Sequence, residues 1–436
     1  MHLNLVNDGT TSIGFRAFNS WSGLVSVTIP DCITSIGEEA FATSDLKEVT
    51  IPNSVTTIME GAFMGCENLA GIDIPNSVTV MGGSVFSGCI NLTQIDIPNS
   101  VTSIGAGCFN ECANLQNITI PGRLLAGEGV LAGCTGLKHF TIPEGTEVIG
   151  RSCFSSCTAL EGIEIPNTVT TIEGSAFREC TTLRSVTIPN SVTTIETYAF
   201  GWCTSLRSVT IPNSITTVGV PFYGCSNLSD IKVPDHLYET SIFSGTGITD
   251  ITVPEGVTTV GSFADCTKLT SITFPEGVKA LTDFSGCSSL KAIDIPDGVS
   301  AIGQSTFEDC VNLAKVTIPN SVVSLGWFAF HNCTSLTRIV IPNHVATISS
   351  GAFADCSLLT NVTLGSGVTS IKDLAFHNAP IRQLQCYAAV PPKLTAPSFS
   401  VDLTKGATLY VPAGTGMAYS ESSWKGYFEN IVEMEE

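Results

Sequence analysis

One stretch, Ile51-Pro-Asn-Ser-Val-Thr-Thr-Ile-Met-Glu-Gly-Ala-Phe-Met-Gly-Cys-Glu-Asn-Leu69, decides the architecture, because the chain repeats it many times. With Pro52 as position zero, apolar residues occupy positions −3, −1, +3, +6, +11, +14 and +17. These residues are Val49, Ile51, Val55, Ile58, Phe63, Cys66 and Leu69. The same frame fits copies anchored at Pro75, Pro98, Pro166, Pro189, Pro296, Pro319 and Pro342. A fixed internal period of this kind is the signature of a repeat array.

A single copy of this repeat is too small to fold alone. Most intervals between anchor prolines are 22 or 23 residues, but three between Pro234 and Pro296 are 20 or 21. Burying seven apolar side chains contributes roughly 10–20 kcal/mol, whereas ordering the backbone of one copy costs at least about 23 kcal/mol. Neighbouring copies must therefore share faces. The predicted fold is a solenoid: a curved, right-handed array with a parallel β-sheet, short turns or single helical turns, and a small C-terminal capping segment.

Each copy is predicted to contain two short extended pieces and one corner. The pattern Leu-x-x-Ile-x-Ile-Pro alternates at period two, which indicates a short strand that the proline ends. The pattern Val-Thr-x-Ile predicts a second extended piece, and Gly-x-x-Ala-Phe-x-x-Cys predicts a corner with one helical turn. The short copies between Pro234 and Pro296 lose residues just before the phenylalanine. We expect a changed local curvature there, either as a harmless deletion or as a bend shaped for a partner.

The repeat frame predicts two regions. Residues 1–381 are expected to form the solenoid, with about 16 repeats and an incomplete first one, and residues 382–436 to form a C-terminal cap. In the cap, strands are predicted at Ile381–Tyr387 and Ala407–Pro412, with a short helix within Gly416–Phe428. The chain opens inside the repeat frame without a signal-peptide pattern. We therefore expect it to be a trimmed fragment of a longer protein.

Composition excludes several classes of partner. Asp and Glu number 39 against 19 Lys and Arg, which gives a net charge of −20. This charge repels phosphate backbones and anionic lipids, so binding to nucleic acid is not expected, although the acidity also serves solubility. No run of about 18 apolar residues is present, so no membrane insertion is expected. Apolar residues make up 43% of the chain and charged residues only 13%, which indicates a stiff and well-buried protein.

The cysteines follow the repeat. Thirteen of the 17 occupy slot +14 or its equivalent. They are Cys66, Cys89, Cys112, Cys134, Cys157, Cys180, Cys203, Cys225, Cys266, Cys287, Cys310, Cys333 and Cys356. A residue at a fixed apolar slot acts first as a small buried hydrophobe, so we predict a ladder of buried thiols. The odd total and the lack of a Cys-x-x-Cys motif give less support to the alternatives, which are disulfides between neighbours and a metal site.

The sequence offers no constellation for catalysis. It contains no nucleophile elbow, no zinc-protease motif and no phosphate-binding loop. Two of the six scattered histidines, His331 and His377, share slot +12 and are expected to face solvent. No pair of carboxylates recurs where the fold would aim both at one point, and an active site needs such convergence. We therefore expect no catalytic residue, no cofactor and no metal.

Partner-binding candidates lie between the core positions. Side chains at −4 and −2 should project from the sheet on the side away from the core. The −2 slot is mostly threonine, which stabilises neighbouring strands. The residue at slot −4 varies from repeat to repeat. Such variation is needed in a recognition surface, but it is also found on a surface that binds nothing. The candidate residues are Glu48, His139, Asp230, Asp250, Lys315 and Arg338 at −4, together with Trp202 and Trp327 at corners. Each tryptophan either anchors an interface or packs at its corner.

The repeat resembles the BspA-type, or treponemal-class, leucine-rich repeat over about residues 7–381. The tail, with Leu409-Tyr-Val-Pro412, Trp424 and Ile431-Val-Glu433, is similar to the end segment of such proteins from gut Bacteroides-type bacteria. The resemblance implies a secreted or cell-surface protein without enzymatic activity. It also implies adhesion to host matrix proteins, host cells or other microbes, with the protein ligand on the concave face. A glycan-binding module and a structural spacer without a ligand remain alternatives.

Overall fold

Most repeats contribute a short strand before their anchor proline and a second one shortly after it. The computed structural model describes residues 1–435 and divides the chain into two compact units. The first unit comprises Met1–Val233, and the second begins at Pro234. Both units are built from the same parallel stacking of repeats, so the solenoid fold is confirmed.

The strands form two rows in each unit. In the first unit, the strands before the prolines are His2–Asn4, Ser26–Thr28, Glu48–Thr50, Gln94–Asp96, Asn117–Thr119, His139–Thr141, Gly162–Glu164, Val186–Thr187, Ser208–Thr210 and Asp230–Lys232. The second row there comprises Ser12–Ile13, Ser35–Ile36, Thr57–Ile58, Val80–Met81, Ser103–Ile104, Val148–Ile149, Thr171–Ile172, Thr194–Ile195 and Thr217–Val218.

The second unit has the same two rows. Its first row comprises Asp250–Thr252, Ser271–Thr273, Ala292–Asp294, Lys315–Thr317, Arg338–Ile341, Asn361–Leu364, Gln383–Cys386, Thr408–Val411 and Asn430–Glu433. Its second row comprises Thr259–Ser262, Ala280–Asp283, Ala301–Ile302, Ser324–Leu325, Thr347–Ile348, Ser370–Ile371 and Lys393–Leu394. The helical segments within residues 1–435 are the α-helices Val401–Thr404 and Gly416–Ser420 and the 3₁₀ turns Gly122–Ala126, Asp235–Leu237 and Ser423–Gly426.

Equivalent slots of successive repeats lie side by side. The strands pair in parallel, so that Ser26 lies opposite Glu48 and Val27 opposite Val49. Because successive side chains of a strand point to opposite faces, the −3 residues point toward the core, where they are buried or half-buried, and the −4 residues point away from it. The period-two pattern of the sequence therefore translates directly into the two faces of the sheet.

The core contains the seven predicted slots. In the Pro52 repeat, all seven side chains are at most 9% exposed. The +11 phenylalanines stack across repeats with nearly parallel rings; the centroids of Phe63 and Phe86, for example, lie 5.5 Å apart at an angle of 6°. Such stacking adds to the burial energy of the rings. The prediction that this stripe belongs to the core is confirmed.

The cysteines form the predicted thiol ladder. All 17 lie within the described residues and are free, and only Cys32 is not fully buried. In most repeats the +14 thiol donates a hydrogen bond to the carbonyl oxygen of the previous +11 phenylalanine, as Cys89 Sγ does to Phe63 O at 3.2 Å. Burial raises the pKa of the Cys66 thiol to about 11. The thiols are therefore neutral packing groups that also satisfy a buried carbonyl.

The corner differs from the prediction. The expected helical turn is wrong, and the corner instead consists of turns in which slots +9 and +13 adopt left-handed backbone angles. In the Pro52 repeat these residues are Gly61 and Gly65, with φ of 60° and 66°. In the preceding repeat Glu39 and Thr43 adopt the same conformation, with φ of 50° and 55°. The left-handed backbone turns the chain where a helical turn would have continued it.

The corner is bound to the next repeat through its backbone. The N–H groups at +9, +11 and +13 donate to carbonyl oxygens of the following repeat. In the Pro52 repeat the donor–acceptor pairs are Gly61 and Gly83 at 2.8 Å, Phe63 and Val85 at 3.0 Å, and Gly65 and Ser87 at 2.7 Å. These bonds satisfy backbone groups that would otherwise be buried without partners.

The short repeats lose one half of this corner. In the two short repeats anchored at Pro254 and Pro275, the second strands lengthen to four residues, Thr259–Ser262 and Ala280–Asp283, and these strands pair with each other; the repeat anchored at Pro234 has the 3₁₀ turn Asp235–Leu237 instead. Each of these two corners keeps one left-handed residue, Asp265 or Gly286, and lacks the earlier one. The predicted shortening is confirmed, and its physical form is a strand that runs on where a full repeat turns.

The last described segment extends the same sheet. Strands Gln383–Cys386, Thr408–Val411 and Asn430–Glu433 continue the parallel ladder beyond the last full repeat. Trp424 is fully buried and donates from Nε1 to Pro392 O at 2.8 Å. The strands and the short helix predicted from the sequence of this segment are present.

Candidate functional site

The strand face, which we define as the −4 and −2 side chains of the first strand row, is the first candidate surface. The six charged or histidine candidates at −4 are all exposed, three in each unit. They are Glu48, His139 and Asp230 in the first unit and Asp250, Lys315 and Arg338 in the second. The strand pairing explains their exposure, because each precedes a −3 residue that points toward the core and is buried or half-buried.

Small residues separate these charges along the strand face. Ser26 lies beside Glu48, Ser208 beside Asp230, and Ala292 beside Lys315. Apart from Lys315 and Arg338, whose strands are neighbours, the charged −4 side chains of each unit stand apart in a row, and they do not converge on one point. This arrangement suits contacts spread along a partner more than chemistry at a single atom.

One part of the strand face in the second unit is basic. The strands of Lys315 and Arg338 are neighbours, and Asn361 and Gln383 follow in register after Arg338. Beside Arg338 in the strand, Val340 at slot −2 is 59% exposed. The four −4 residues, which we call the polar strip, place two cations and two amides in consecutive repeats of a strongly acidic chain.

Open grooves run beside the anchor prolines. A groove of about 810 Å³ in the first unit is lined by Asp96, Pro98, Arg123 and Glu144, among others. Arg123 is already engaged there, since it donates to the backbone oxygens of Asn99 and Val101. A similar groove of about 690 Å³ lies beside Pro275 and Pro296 in the second unit. Both grooves are open to solvent, unlike the enclosed pockets in which substrates are usually bound.

Within residues 1–435, no group of three or more histidine, cysteine or carboxylate side chains is arranged to hold a metal ion. In the same range, no helix is both long and apolar enough to span a bilayer.

The predicted solvent-facing histidines lie instead in contact with their neighbours. His331 is only 26% exposed, and its ring nitrogens lie 3.1 Å from Glu308 Oε1 and 3.1 Å from Asp355 Oδ2. His377 is half-buried and lies 3.3 Å from Ser400 Oγ. The prediction was wrong because corner slots of successive repeats stack, so each of these side chains has neighbours above and below it.

Asp355 extends this row of contacts to the next repeat. We call Glu308, His331, Asp355 and Asn378 the corner ladder. Its Oδ1 accepts a hydrogen bond from Asn378 Nδ2 at 2.7 Å. This bond, assisted by the contact with His331, lowers the pKa of Asp355. The ladder therefore stabilises the ionised carboxylate, and its members are occupied by one another.

The two tryptophan candidates differ. Trp327 is 59% exposed at its corner. Trp202 is half-buried, and the guanidinium of Arg178 lies 4.8 Å from the centre of its ring. Its ring also contacts Tyr198 and Tyr223, with centroid distances of 5.3 and 5.4 Å. We call these three rings and Arg178 the aromatic corner.

Sequence reasoning missed the tyrosines of the aromatic corner, although a signal was present. Tyr198 and Trp202 occupy slots +9 and +13 of one repeat, with φ of 59° and 56°. A left-handed backbone costs a bulky residue about 1–2 kcal/mol. Most other repeats place Gly, Ser, Glu, Asp or Asn at these slots. A repeat with an aromatic residue at each of its two left-handed slots is therefore an exception, and it can be recognised in the sequence once these slots are known.

The in-register strand rows and the aligned Leu, Phe and Cys ladders define a solenoid of the leucine-rich repeat class. A family model described as the BspA-type leucine-rich repeat region matches residues 11–128, 126–239, 238–284 and 282–391. Because these matches cover most of the chain, the chain belongs to the BspA-type leucine-rich repeat family. No curated protein sequence matches it significantly.

Solved structures of bacterial leucine-rich repeat proteins are similar to this chain. One from Bacteroides ovatus is 27% identical with a TM-score of 0.62, and the match covers 83% of this chain and 91% of that one. Another from Eubacterium ventriosum is 24% identical with a TM-score of 0.42, covering 76% and 82% of the two chains. A leucine-rich cell surface protein from Faecalibacterium prausnitzii is 22% identical with a TM-score of 0.30, covering 100% and 88%.

Proposed function

We propose that this chain is a non-catalytic interaction protein of the adhesin type. It acts at the cell surface or after secretion, and it binds a host or microbial protein across its strand face. The location is supported by membership in the BspA-type family and by the resemblance described above. The function is supported by a rigid sheet that presents different side chains at equivalent positions.

The observation that carries the proposal is the polar strip. Lys315 and Arg338 project from neighbouring strands with the amides of Asn361 and Gln383 beyond them. Arginine and amide side chains on adjacent strands can hydrogen-bond a carboxylate-bearing surface at several points. The strip therefore fits an acidic patch on a partner protein. Opposite charges would also favour encounter despite the net charge of −20.

A binding assay with matched variants tests this proposal. The purified chain is measured by surface plasmon resonance against a panel of host matrix proteins. We expect the double variant Lys315→Glu with Arg338→Glu to bind its partner at least about ten-fold more weakly, mostly through slower association at low salt. The control Lys279→Glu with Lys372→Glu changes the net charge equally at exposed positions away from the strip.

The two possible failures of this assay have different meanings. If no matrix protein binds the unaltered chain, the adhesin proposal loses its main support, and a structural spacer becomes the better account. If a partner binds equally well to the strip variant, the function stands and the strip is the wrong surface.

A further inference from the structure

We propose that the aromatic corner of the first unit is a saccharide-binding site. In this site, the exposed parts of the Tyr198, Trp202 and Tyr223 rings contact the apolar faces of sugar rings, and the neighbouring charged groups bind the sugar hydroxyls. The site lies at the corner and not on the strand face, so the proposal extends beyond the protein-binding function.

The three rings form one continuous apolar surface. Tyr198 and Tyr223 have centroids 5.8 Å apart, and each also contacts Trp202. The planes of the three rings are inclined to one another by 49–70°. Tyr198 is 37% exposed and the other two rings are half-buried. The rings touch one another, so a ligand must lie on their outer surface.

The backbone indicates that these aromatic residues are not there for folding. Tyr198 and Trp202 both adopt left-handed angles that bulky residues rarely occupy. Glycine, serine or asparagine would form the same turn with less strain, as they do at equivalent slots in other repeats. The rings do not recover this strain by entering the core, because they remain partly exposed. Strained residues that the fold does not require are a common mark of a binding site.

The patch is small and isolated. Within residues 91–322, all of which the structure describes, Tyr198 is the only exposed large hydrophobic side chain. A stable protein interface buries at least about 1,200 Å² in total and surrounds its anchors with further contacts. Three rings set among polar side chains match a ligand of one or a few rings better than they match a protein surface.

The polar groups at the edge of the patch match hydroxyl groups. Arg178 stacks on Trp202, and its Nη2 lies 2.9 Å from Glu179 Oε1. Glu179 is held beside the same corner, because its N–H donates to Gly201 O at 2.8 Å. The guanidinium supplies donors and the carboxylate supplies acceptors. A sugar combines an apolar ring face with hydroxyls that both donate and accept, and it therefore uses both kinds of group.

Other ligand classes fit less well. An organic cation would need an open cage of rings, but these rings are in contact and Arg178 already occupies a face of Trp202. Nucleic acid bases could stack on the rings, but the net charge of −20 opposes the phosphates. A neutral or weakly charged saccharide is the class that the observations favour.

The test uses the full chain and defined saccharides. Binding of maltohexaose, cellohexaose, xylohexaose and mannohexaose is measured by isothermal titration calorimetry, and a glycan array extends the set of probes. We expect at least one of these saccharides to bind. We also expect the double variant Tyr198→Asn with Trp202→Asn to bind it at least about ten-fold more weakly. Asparagine tolerates the left-handed backbone, so this variant should keep its fold.

A matched control separates loss of the site from loss of an exposed aromatic residue. Phe328 occupies slot +9 in the second unit with φ of 55° and is 36% exposed. The variant Phe328→Asn should bind the saccharide as the unaltered chain does. The proposal is overturned if no saccharide binds the unaltered chain or if the double variant binds equally well. It is also overturned if the double variant loses binding to a matrix protein and to no saccharide, which would make the corner a protein contact.

The strip variant keeps this test distinct from that of the adhesin function. Replacement of Lys315 and Arg338 by glutamate should leave saccharide binding unchanged. Loss of protein binding alone therefore bears on the strand face, and loss of saccharide binding alone bears on the aromatic corner.

Discussion

The thiol ladder makes a quantitative prediction about cysteine reactivity. The thiolate is the reactive form of cysteine, and burial raises the pKa of Cys66 to about 11 and those of Cys112 and Cys356 to about 12. At pH 8 the thiolate fraction is then on the order of one in a thousand for Cys66 and one in ten thousand for the other two. Reagent access would further require local opening of the repeat. Cys32 is the one cysteine that is not fully buried.

The assay is reaction with Ellman's reagent at pH 8, followed by absorbance, with iodoacetamide labelling and peptide mass spectrometry to locate the modified residues. We expect one rapidly reacting thiol per native chain, at Cys32, and reaction at all 17 cysteines in denaturant. The variant Cys32→Ser should abolish the rapid phase without changing the melting temperature. Several rapid thiols in the native chain, or disulfides detected under non-reducing conditions, would refute the buried-ladder interpretation.

Three further predictions concern stability. Phe177 stacks on a phenylalanine on either side, with ring centroids 5.2 Å apart. Phe177→Ala should lower the free energy of unfolding, measured by urea denaturation, by about 3–5 kcal/mol. A loss below about 1 kcal/mol would contradict the role of the phenylalanine stack in the core. Gly105→Ala should destabilise the chain more than Gly145→Ala. A Cβ added at Gly105 would overlap the backbone nitrogen of Gly83, whereas Gly145, at φ 85°, has free space, so its replacement should lower the free energy of unfolding by only about 1 kcal/mol. Equal melting temperatures of the two variants would contradict this. The pKa of Asp355 is lowered from its ordinary value of 3.8 in the folded chain, so the ionised carboxylate adds stability above pH 3.8, and this contribution is lost as pH falls through the folded pKa. Asp355→Asn should therefore lower the melting temperature at pH 7 and have less effect at pH 3. An effect that does not depend on pH would argue against the corner ladder.

The sequence determines the core and the faces of the sheet almost completely. Every apolar slot of the Pro52 repeat is buried, and the candidates Glu48 and Arg338 are exposed as predicted. Period-two alternation and a fixed repeat length carry this information, because parallel in-register pairing brings equal slots together. Whether the exposed candidates bind a partner stays a prediction, since exposure follows from the fold alone.

The corner could not be predicted in the same way. Its left-handed slots hold residues such as Glu39 and Thr43 as well as glycine, so composition does not mark them. Their conformation follows from hydrogen bonds to the next repeat, which are non-local. For the same reason, His331 could not be placed between Glu308 and Asp355 without knowing that corner slots stack. The aromatic corner likewise depends on knowing the left-handed slots, because only then do Tyr198 and Trp202 stand out from the small or polar residues of most other repeats.

The direction of the corner hydrogen bonds has a consequence for how such a chain can evolve. Most full corners offer three N–H donors to their successor and matching carbonyl acceptors to their predecessor, so a duplicated or deleted whole repeat leaves both new junctions matched. A corner that loses residues offers two such bonds, and it offers them to a short or a full corner alike, as Phe284 and Gly286 do to the full corner that follows them. Phe263 and Asp265, for example, donate to Asp283 and Ser285 in the next short repeat, both at 2.7 Å. Gene duplication can therefore lengthen the array and its strand face without redesigning a junction.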